Sequence, residues 1–327
     1  MFELLKKVLA PIGPSGRETP VANAIRSEIE GHVDTIETDA MGNLIATKLG
    51  KGEHPRKIMF SAHMDHIGFV VTGYEKEGFL RVTNVGGLSA GSCGNVRHVI
   101  FENGVEGVLA LEPVKDAPTM NNLFVDIGAE SKEEAMTRVQ LGDMAVFAPD
   151  VVRLGEHRVA SPAMDDRCAC ALLIKLLQTL GDTKDTVIAV FSVQEEVGCR
   201  GAVAASFAKE PDIGIAIDVT GNGDTPETKL PSVRLGDGIA VKVMDRASIS
   251  NPALRDELLQ CGEKAGVKTQ REVLPYGGTD ACSMQLSRGG IPVCTLSIPC
   301  RNVHSACEVI DLRDMEAGLQ VMLTYLR

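Results

Sequence analysis

Five short apolar runs, at residues 57–62, 186–193, 213–219, 239–244 and 292–298, lack the strict alternation of a half-exposed strand, and most are rich in β-branched residues. That pattern predicts buried parallel strands with both sheet faces covered. Between them, apolar positions recur at helical spacing over 18–30, 166–180, 252–265 and 280–288, with 311–325 closing the chain. Gly198 and Gly201 bracket the entry to another helix ending near Lys209. Strands alternating with helices predict an α/β three-layer core around a mixed, largely parallel sheet.

The period changes between residues 68 and 160. Short alternating runs at 69–74, 79–83, 98–102, 105–111 and 144–148 are separated by turn signals such as Glu77-Gly78, Gly86-Gly87 and Asn103-Gly104. One helix stands out there, over 132–140, opened by Ser131 with Glu134 three residues on, the spacing of a capping box. The expected organisation is an α/β domain of residues 1–67 and 161–327, interrupted by a β-rich domain of residues 68–160. His63 precedes the insertion and every other candidate ligand follows it, so the core fold itself must close the site.

Acidic and histidine residues collect at the ends of the apolar runs. His63 follows the first, and Asp65 two residues on shares its face in an extended backbone. This spacing suits an imidazole ligand whose second nitrogen donates to a carboxylate. Taken alone, it fits a strand-end histidine equally well. Asp165 and Asp166 precede an apolar helix, where an Asp is often only a cap, yet a carboxylate there can bridge two cations, and Asp166 can pair with Arg167. Glu195-Glu196 follows the run 187–193. Its two side chains diverge, leaving one free to coordinate and the other to act as a base. Asp218 ends the next run, before a loop that also carries Asp224. His304 follows the last run, whereas His32, His54, His98 and His157 lie in polar turns or in strands of the insert. Two imidazoles with a bridging and two terminal carboxylates suit zinc, cobalt or manganese better than calcium.

Composition narrows the alternatives. Shares of 44% hydrophobic and 24% charged residues in 327 residues describe a globular protein, and a net charge of -11 argues against nucleic acid or an anionic membrane as partner. The opening residues read as an amphipathic helix without the apolar stretch of a signal peptide, and no run approaches a membrane span. Nine cysteines at irregular spacing, Cys168-Ala169-Cys170 among them, predict reduced structural thiols in a cytoplasmic protein. No GxSxG elbow, Walker loop or dinucleotide fingerprint competes.

The motifs Gly13-Pro14-Ser15-Gly16, Ala62-His63-Met64-Asp65, Ser161-Pro162-Ala163-Met164-Asp165-Asp166-Arg167 and Val193-Gln194-Glu195-Glu196-Val197-Gly198 are specific in combination. With Asp218-Val219-Thr220, Asp224-Thr225-Pro226, Tyr276-Gly277-Gly278-Thr279-Asp280-Ala281 and Asn302-Val303-His304-Ser305, they run nearly the whole length. The chain resembles the tetrahedral dinuclear aminopeptidases of metallopeptidase family forty-two, whose members are often labelled glutamyl aminopeptidase or endoglucanase. The resemblance implies a zinc-peptidase-like core binding two divalent ions. His63 and Asp218 would hold one ion, Glu196 and His304 the other, with Asp165 between them. It implies Glu195 as general base, Asp65 orienting His63, a cis Asp165–Asp166 peptide and a substrate cleft lined by the Gly277, Gly278 and Thr279 backbone. It further implies an inserted dimerisation domain and a homo-oligomer built of dimers, up to a tetrahedral dodecamer. His66 and Asn302 depart from the family, which commonly carries Glu and an aromatic there, and the insert is somewhat short.

The expected function is a cytoplasmic aminopeptidase that uses a metal-bridging water and a Glu base to release N-terminal residues from peptides. A deacylase or amidase acting on small amides would need the same metals. An endoglucanase would want paired carboxyls across a sugar and aromatic platforms, in a chain with 4% aromatic residues and no Trp. A non-catalytic scaffold would be expected to have lost a ligand or the base.

Overall fold

The computed structural model describes residues 1–93, 96–226, 228 and 232–327. Its main sheet has eleven strands. At its centre four run parallel in the order Thr186–Ser192, Lys57–His63, Ile213–Thr220 and Val293–Arg301. Antiparallel strands Leu44–Lys48 and Thr35–Thr38 extend one side, and Glu308–Asp311, Arg158–Ser161 and Val152–Leu154 the other.

Alternation within the buried runs feeds two cores. From the Lys57–His63 strand, Ile58, Phe60 and Ala62 join the cluster beneath the helices Met164–Thr179 and Leu312–Tyr325, and Met59 joins the opposite one, beneath Arg200–Lys209 and Asp280–Gln285. Adjacent strands repeat the phase, with Val187, Ala189 and Phe191 on the first face and Ile188 and Val190 on the second. The expected three layers form because both faces of these strands are apolar and only helices on each side can cover them.

One strand expected among the parallel set meets the central four in the opposite direction. Ile239–Met244 pairs antiparallel with Val293–Arg301 and parallel with Thr269–Val273, a short strand with little apolar content. A buried apolar run reports burial on two faces, and burial carries no information on strand direction.

The stretch Gly68–Phe147 contains a closed barrel of six strands, in the order Gly68–Tyr74, Leu80–Val85, Leu123–Asp126, Glu106–Leu111, Val96–Phe101 and Met144–Phe147. Alternate residues Phe69, Val71, Leu80, Val82, Val99, Phe101, Leu109 and Val125 fill it as a separate apolar cluster. Phe69 meets Phe147 edge-on at 5.3 Å. Closure removes the open edges an antiparallel sheet would otherwise present. The Lys132–Arg138 helix is capped by Ser131, which accepts the Glu134 N–H. The Glu134 side chain returns to the Glu130 N–H, not to that of Ser131, so the box is only half made.

Arg167 is fully buried and does not pair with Asp166. Its guanidinium donates to the carbonyls of Val8, Pro11, Gly13 and Met64, which ties the Phe2–Leu9 helix and its following loop to the segment after His63. Burial draws its pKa down to about 10. Among the described residues, no helix is long and apolar enough to cross a membrane.

Candidate metal centre

The C-terminal ends of the parallel strands bring the candidate residues to one place, as open α/β sheets do. His63 is the last residue of its strand and stands level with Ser192 of the neighbouring strand, three residues before Glu195. Asp218 lies near the end of the next strand, level with Ser297. His304 sits in the loop between Val293–Arg301 and Glu308–Asp311, and Asp165 at the head of the Met164–Thr179 helix. The Asp165–Asp166 peptide is cis, and Ala163, Gln194, Cys199, Asn302 and His304 all adopt positive φ. Positive φ at residues other than glycine persists where the surroundings enforce it, and here these residues flank the carboxylates and imidazoles.

Asp165 is the hinge of the arrangement. Its Oδ1 lies 3.1 Å from His63 Nε2, and its Oδ2 lies 3.2 Å from His304 Nε2. Asp218 Oδ1 and Glu195 Oε2 each approach His63 Nε2 to 3.9 Å. On the other side, Glu196 Oε2 is 3.2 Å from His304 Nε2. Among the described residues three groups of convergent ligand atoms result, His63 with Asp166 and Asp218, Asp165 with Glu196 and His304, and Glu195 with Cys199 and Asp280, the atoms of each within 4.8 Å of one another.

The donor set fits divalent cations. Asp165 Oδ1, Asp166 Oδ1 and Glu196 Oε1 are buried without a hydrogen-bond partner, a costly state for a carboxylate unless a cation satisfies it. Burial raises the pKa of Glu195, Asp218 and Asp166 well above the carboxylate range. His63 and His304 move up too, His304 to about 12: burial opposes the shift, but the Asp165 carboxylate beside both rings, with Asp65 at His63 and Glu196 at His304, outweighs it. Binding of a divalent cation to such groups would release protons.

Both imidazoles are oriented from behind, as ligand histidines generally are. His63 Nδ1 meets the main-chain carbonyl of Asp65 at 2.9 Å, and the Asp65 carboxylate stands farther off at 3.6 Å. That carboxylate is engaged elsewhere, with Ser15 Oγ and the N–H groups of Glu195 and Glu196. His304 Nδ1 meets the Gly87 carbonyl at 2.9 Å. Gly87 follows a barrel strand, so the core supplies the candidate ligand atoms while the β-rich segment contributes to their support.

The site opens into a cavity of about 810 Å³ whose wall includes Asn222, Ala247, Leu274, Tyr276, Gly277 and Gly278. Thr279 is set back from that wall. It is buried, caps the Asp280–Gln285 helix and meets Thr295 Oγ1 at 3.1 Å. Asp224 turns away from the centre to pair with Arg301.

A sequence model of the M42 glutamyl aminopeptidase family matches residues 42–321. The chain belongs to that family. It is a metal-dependent aminopeptidase, an enzyme that hydrolyses peptide bonds. It is 36% identical to a lysyl aminopeptidase of Pyrococcus furiosus, over 98% of this chain and 95% of the other. An aminopeptidase from the archaeon Desulfurococcus kamchatkensis superposes with a TM-score of 0.95 at 35% identity, covering 99% of this chain and 93% of that one. The TET1 peptidase of Pyrococcus horikoshii, which can assemble into a tetrahedron or a large octahedral shell, gives 0.88 at 34% identity, over 99% and 98% of the two chains.

Several residues around this M42 centre carry no strong sequence signal. Glu308 is fully buried and accepts the N–H groups of Asp165 and His304 at 2.9 and 2.7 Å; burial lifts its pKa to about 8. Its one legible mark is a carboxylate at the start of the apolar run Val309-Ile310. Asp280 is buried behind Glu195, held by Ser61 and Ser192. Asp166 joins the His63 group while accepting the His63 N–H at 3.2 Å, a contact that sequence spacing does not reveal.

Proposed function

We propose that the chain releases N-terminal residues from peptides at a centre of two divalent cations. The observation that supports this most is Asp165, with one oxygen facing each imidazole. His63 and Asp218 would hold one ion and Glu196 and His304 the other, with Asp165 between them. Zinc, cobalt and manganese all suit these ligands. When bound, such ions polarise the scissile carbonyl and lower the pKa of a water to about 7.

The chain's own groups do the rest. Glu195 stands beside His63 and has no second imidazole of its own, so it is available to take the attacking water's proton and return it to the departing amine. Glu196, next in sequence, points instead toward His304. Asp65 fixes the backbone of both glutamates and, through its carbonyl, the His63 ring. Gly277 and Gly278 offer backbone to the substrate. A deacylase would use the same ligands, and acceptance of a free rather than a blocked amino terminus is what separates an aminopeptidase from it.

The division into an α/β domain of residues 1–67 and 161–327 and an inserted domain of residues 68–160 is supported by the barrel's separate apolar cluster. The inserted domain would mediate dimerisation, and the assembly of the Pyrococcus horikoshii relative supports a closed homo-oligomer, up to a dodecamer. Nine free cysteines are in keeping with a reducing cytoplasm.

The test is hydrolysis of matched free and N-blocked peptides before chelation and after adding back each metal. Metal-dependent release of single residues from free termini alone is expected. Preferential cleavage of blocked substrates would replace this reading with a deacylase.

A further inference from the structure

Two thiols stand in the cavity wall beside Glu195. Cys199 and Cys282 come from the entries of the Arg200–Lys209 and Asp280–Gln285 helices, and their Sγ atoms lie 3.7 Å apart. Ser283 Oγ donates to the Cys199 carbonyl at 3.2 Å and holds the two helix entries together. Cys199 Sγ also donates to Glu195 Oε1 at 3.1 Å. Cys282 is the more accessible of the pair, and both sulfurs are reachable from the cavity that admits substrate. A disulfide needs a sulfur separation of about 2.0 Å, so roughly 1.7 Å of approach remains, within reach of side-chain rotation and slight helix movement.

We propose that Cys199 and Cys282 form a redox modification site, at which a peroxide converts the dithiol to a disulfide and reversibly slows peptide hydrolysis. The Cys282 thiolate attacks one peroxide oxygen, and the O–O bond breaks. The departing hydroxide takes a proton to become water, leaving Cys282 as a sulfenic acid. Cys199, its proton passed to Glu195 or to solvent, attacks that sulfur. The S–S bond forms, the S–O bond breaks, and the released hydroxide gains a proton as the second water. The two thiols together lose two protons and two electrons, and a small dithiol returns them by exchange. Cys282 is the less buried of the two, and a free thiol already carries a few per cent thiolate near neutral pH, which supplies the attacking species. Once joined, Cys199 has no S–H to offer Glu195, and the two helix entries beside the proton acceptor are tied.

The slowing rests on the role proposed for Glu195; disulfide formation does not. The experiment treats the metal-loaded enzyme with hydrogen peroxide and follows peptide hydrolysis alongside a peptide map under non-reducing conditions. A Cys307→Ser background removes the exposed thiol. A Cys199–Cys282 cross-link is expected to appear in step with a fall of about tenfold in rate, the equivalent of one lost hydrogen bond, and a dithiol should reverse both. Cys282→Ser and Cys199→Ser, each compared with its own untreated rate, are expected to form no cross-link and to resist peroxide. Absence of the cross-link in the parent, a cross-linked enzyme with undiminished rate, or equal inactivation of Cys282→Ser would each overturn the proposal. If untreated enzyme cleaves no peptide with any metal, the proposed function fails separately, and the map alone still decides whether the disulfide forms.

Discussion

The carboxylate of Asp65 accepts the backbone N–H of Glu195 at 3.0 Å, and its second oxygen accepts that of Glu196 at 3.2 Å. A residue two positions beyond one imidazole thus sets the turn that presents both glutamates. Asp65→Asn keeps the volume but replaces one acceptor with a donor facing an N–H. Loss of such a supporting contact costs about 10- to 100-fold in metal affinity or activity. Steady-state hydrolysis together with metal titration measures it, and unchanged values for both would show that the turn holds itself.

Glu195→Gln separates proton transfer from metal retention. The amide keeps the shape and cannot accept the proton, so kcat should fall by about 10²- to 10⁴-fold. Metal content, read by elemental analysis, should be unchanged. A variant that loses metal instead would move Glu195 among the ligands.

Gly87 has no room for a side chain. An added Cβ would lie 2.8 Å from Nδ1 and 2.9 Å from Cε1 of His304, the ring its carbonyl orients. Gly87→Ala should therefore weaken metal binding by about 10- to 100-fold while leaving far-ultraviolet circular dichroism as it was. Calorimetric titration of metal-free protein is the measurement, and an isotherm matching the parent would mean that another group positions the ring.

His66 supplies a pH dependence with a definite sign. Burial, with the Arg167 charge adding to it, holds its pKa down at about 3, against 6.5 for a free histidine. The unfolded chain then binds a proton that the folded one refuses, so stability is fully present above pH 6.5 and declines as pH falls from there towards 3. His66→Gln, which can still donate to the Ile67 carbonyl, should remove this part of the acid slope. Denaturant unfolding of both proteins at intervals across that range should show their difference in stability shrinking in the variant's favour at low pH; parallel curves would exclude His66 as a source.

The metal-site candidates were legible because buried strands announce themselves as apolar runs, and their ends are where an α/β sheet gathers chemistry. That rule places His63, Glu195 and Asp218 at strand ends, whereas their proposed roles come from the whole set and from the family resemblance. Partners contributed by distant backbone were not legible. The Gly87 carbonyl reaches His304 from a barrel loop, and Glu308 acts through two N–H groups that have no side-chain signature. The direction of Ile239–Met244 relative to Val293–Arg301 differs from the expectation for a related reason, since pairing decides it and composition does not. Thr35–Thr38 has no strand signature because its residues are largely solvent-facing and show no apolar alternation.

Arg167 binds the start of the chain to its working end. Three of its carbonyl acceptors, on Val8, Pro11 and Gly13, lie within the first thirteen residues, and the fourth, on Met64, lies between His63 and Asp65. An arginine keeps its charge in a dry interior, so removing the opening residues through Gly13 would leave the cation with a single carbonyl, that of Met64. Those opening residues are accordingly a keystone: trimming through Gly13 is expected to loosen the segment that carries His63 and Asp65.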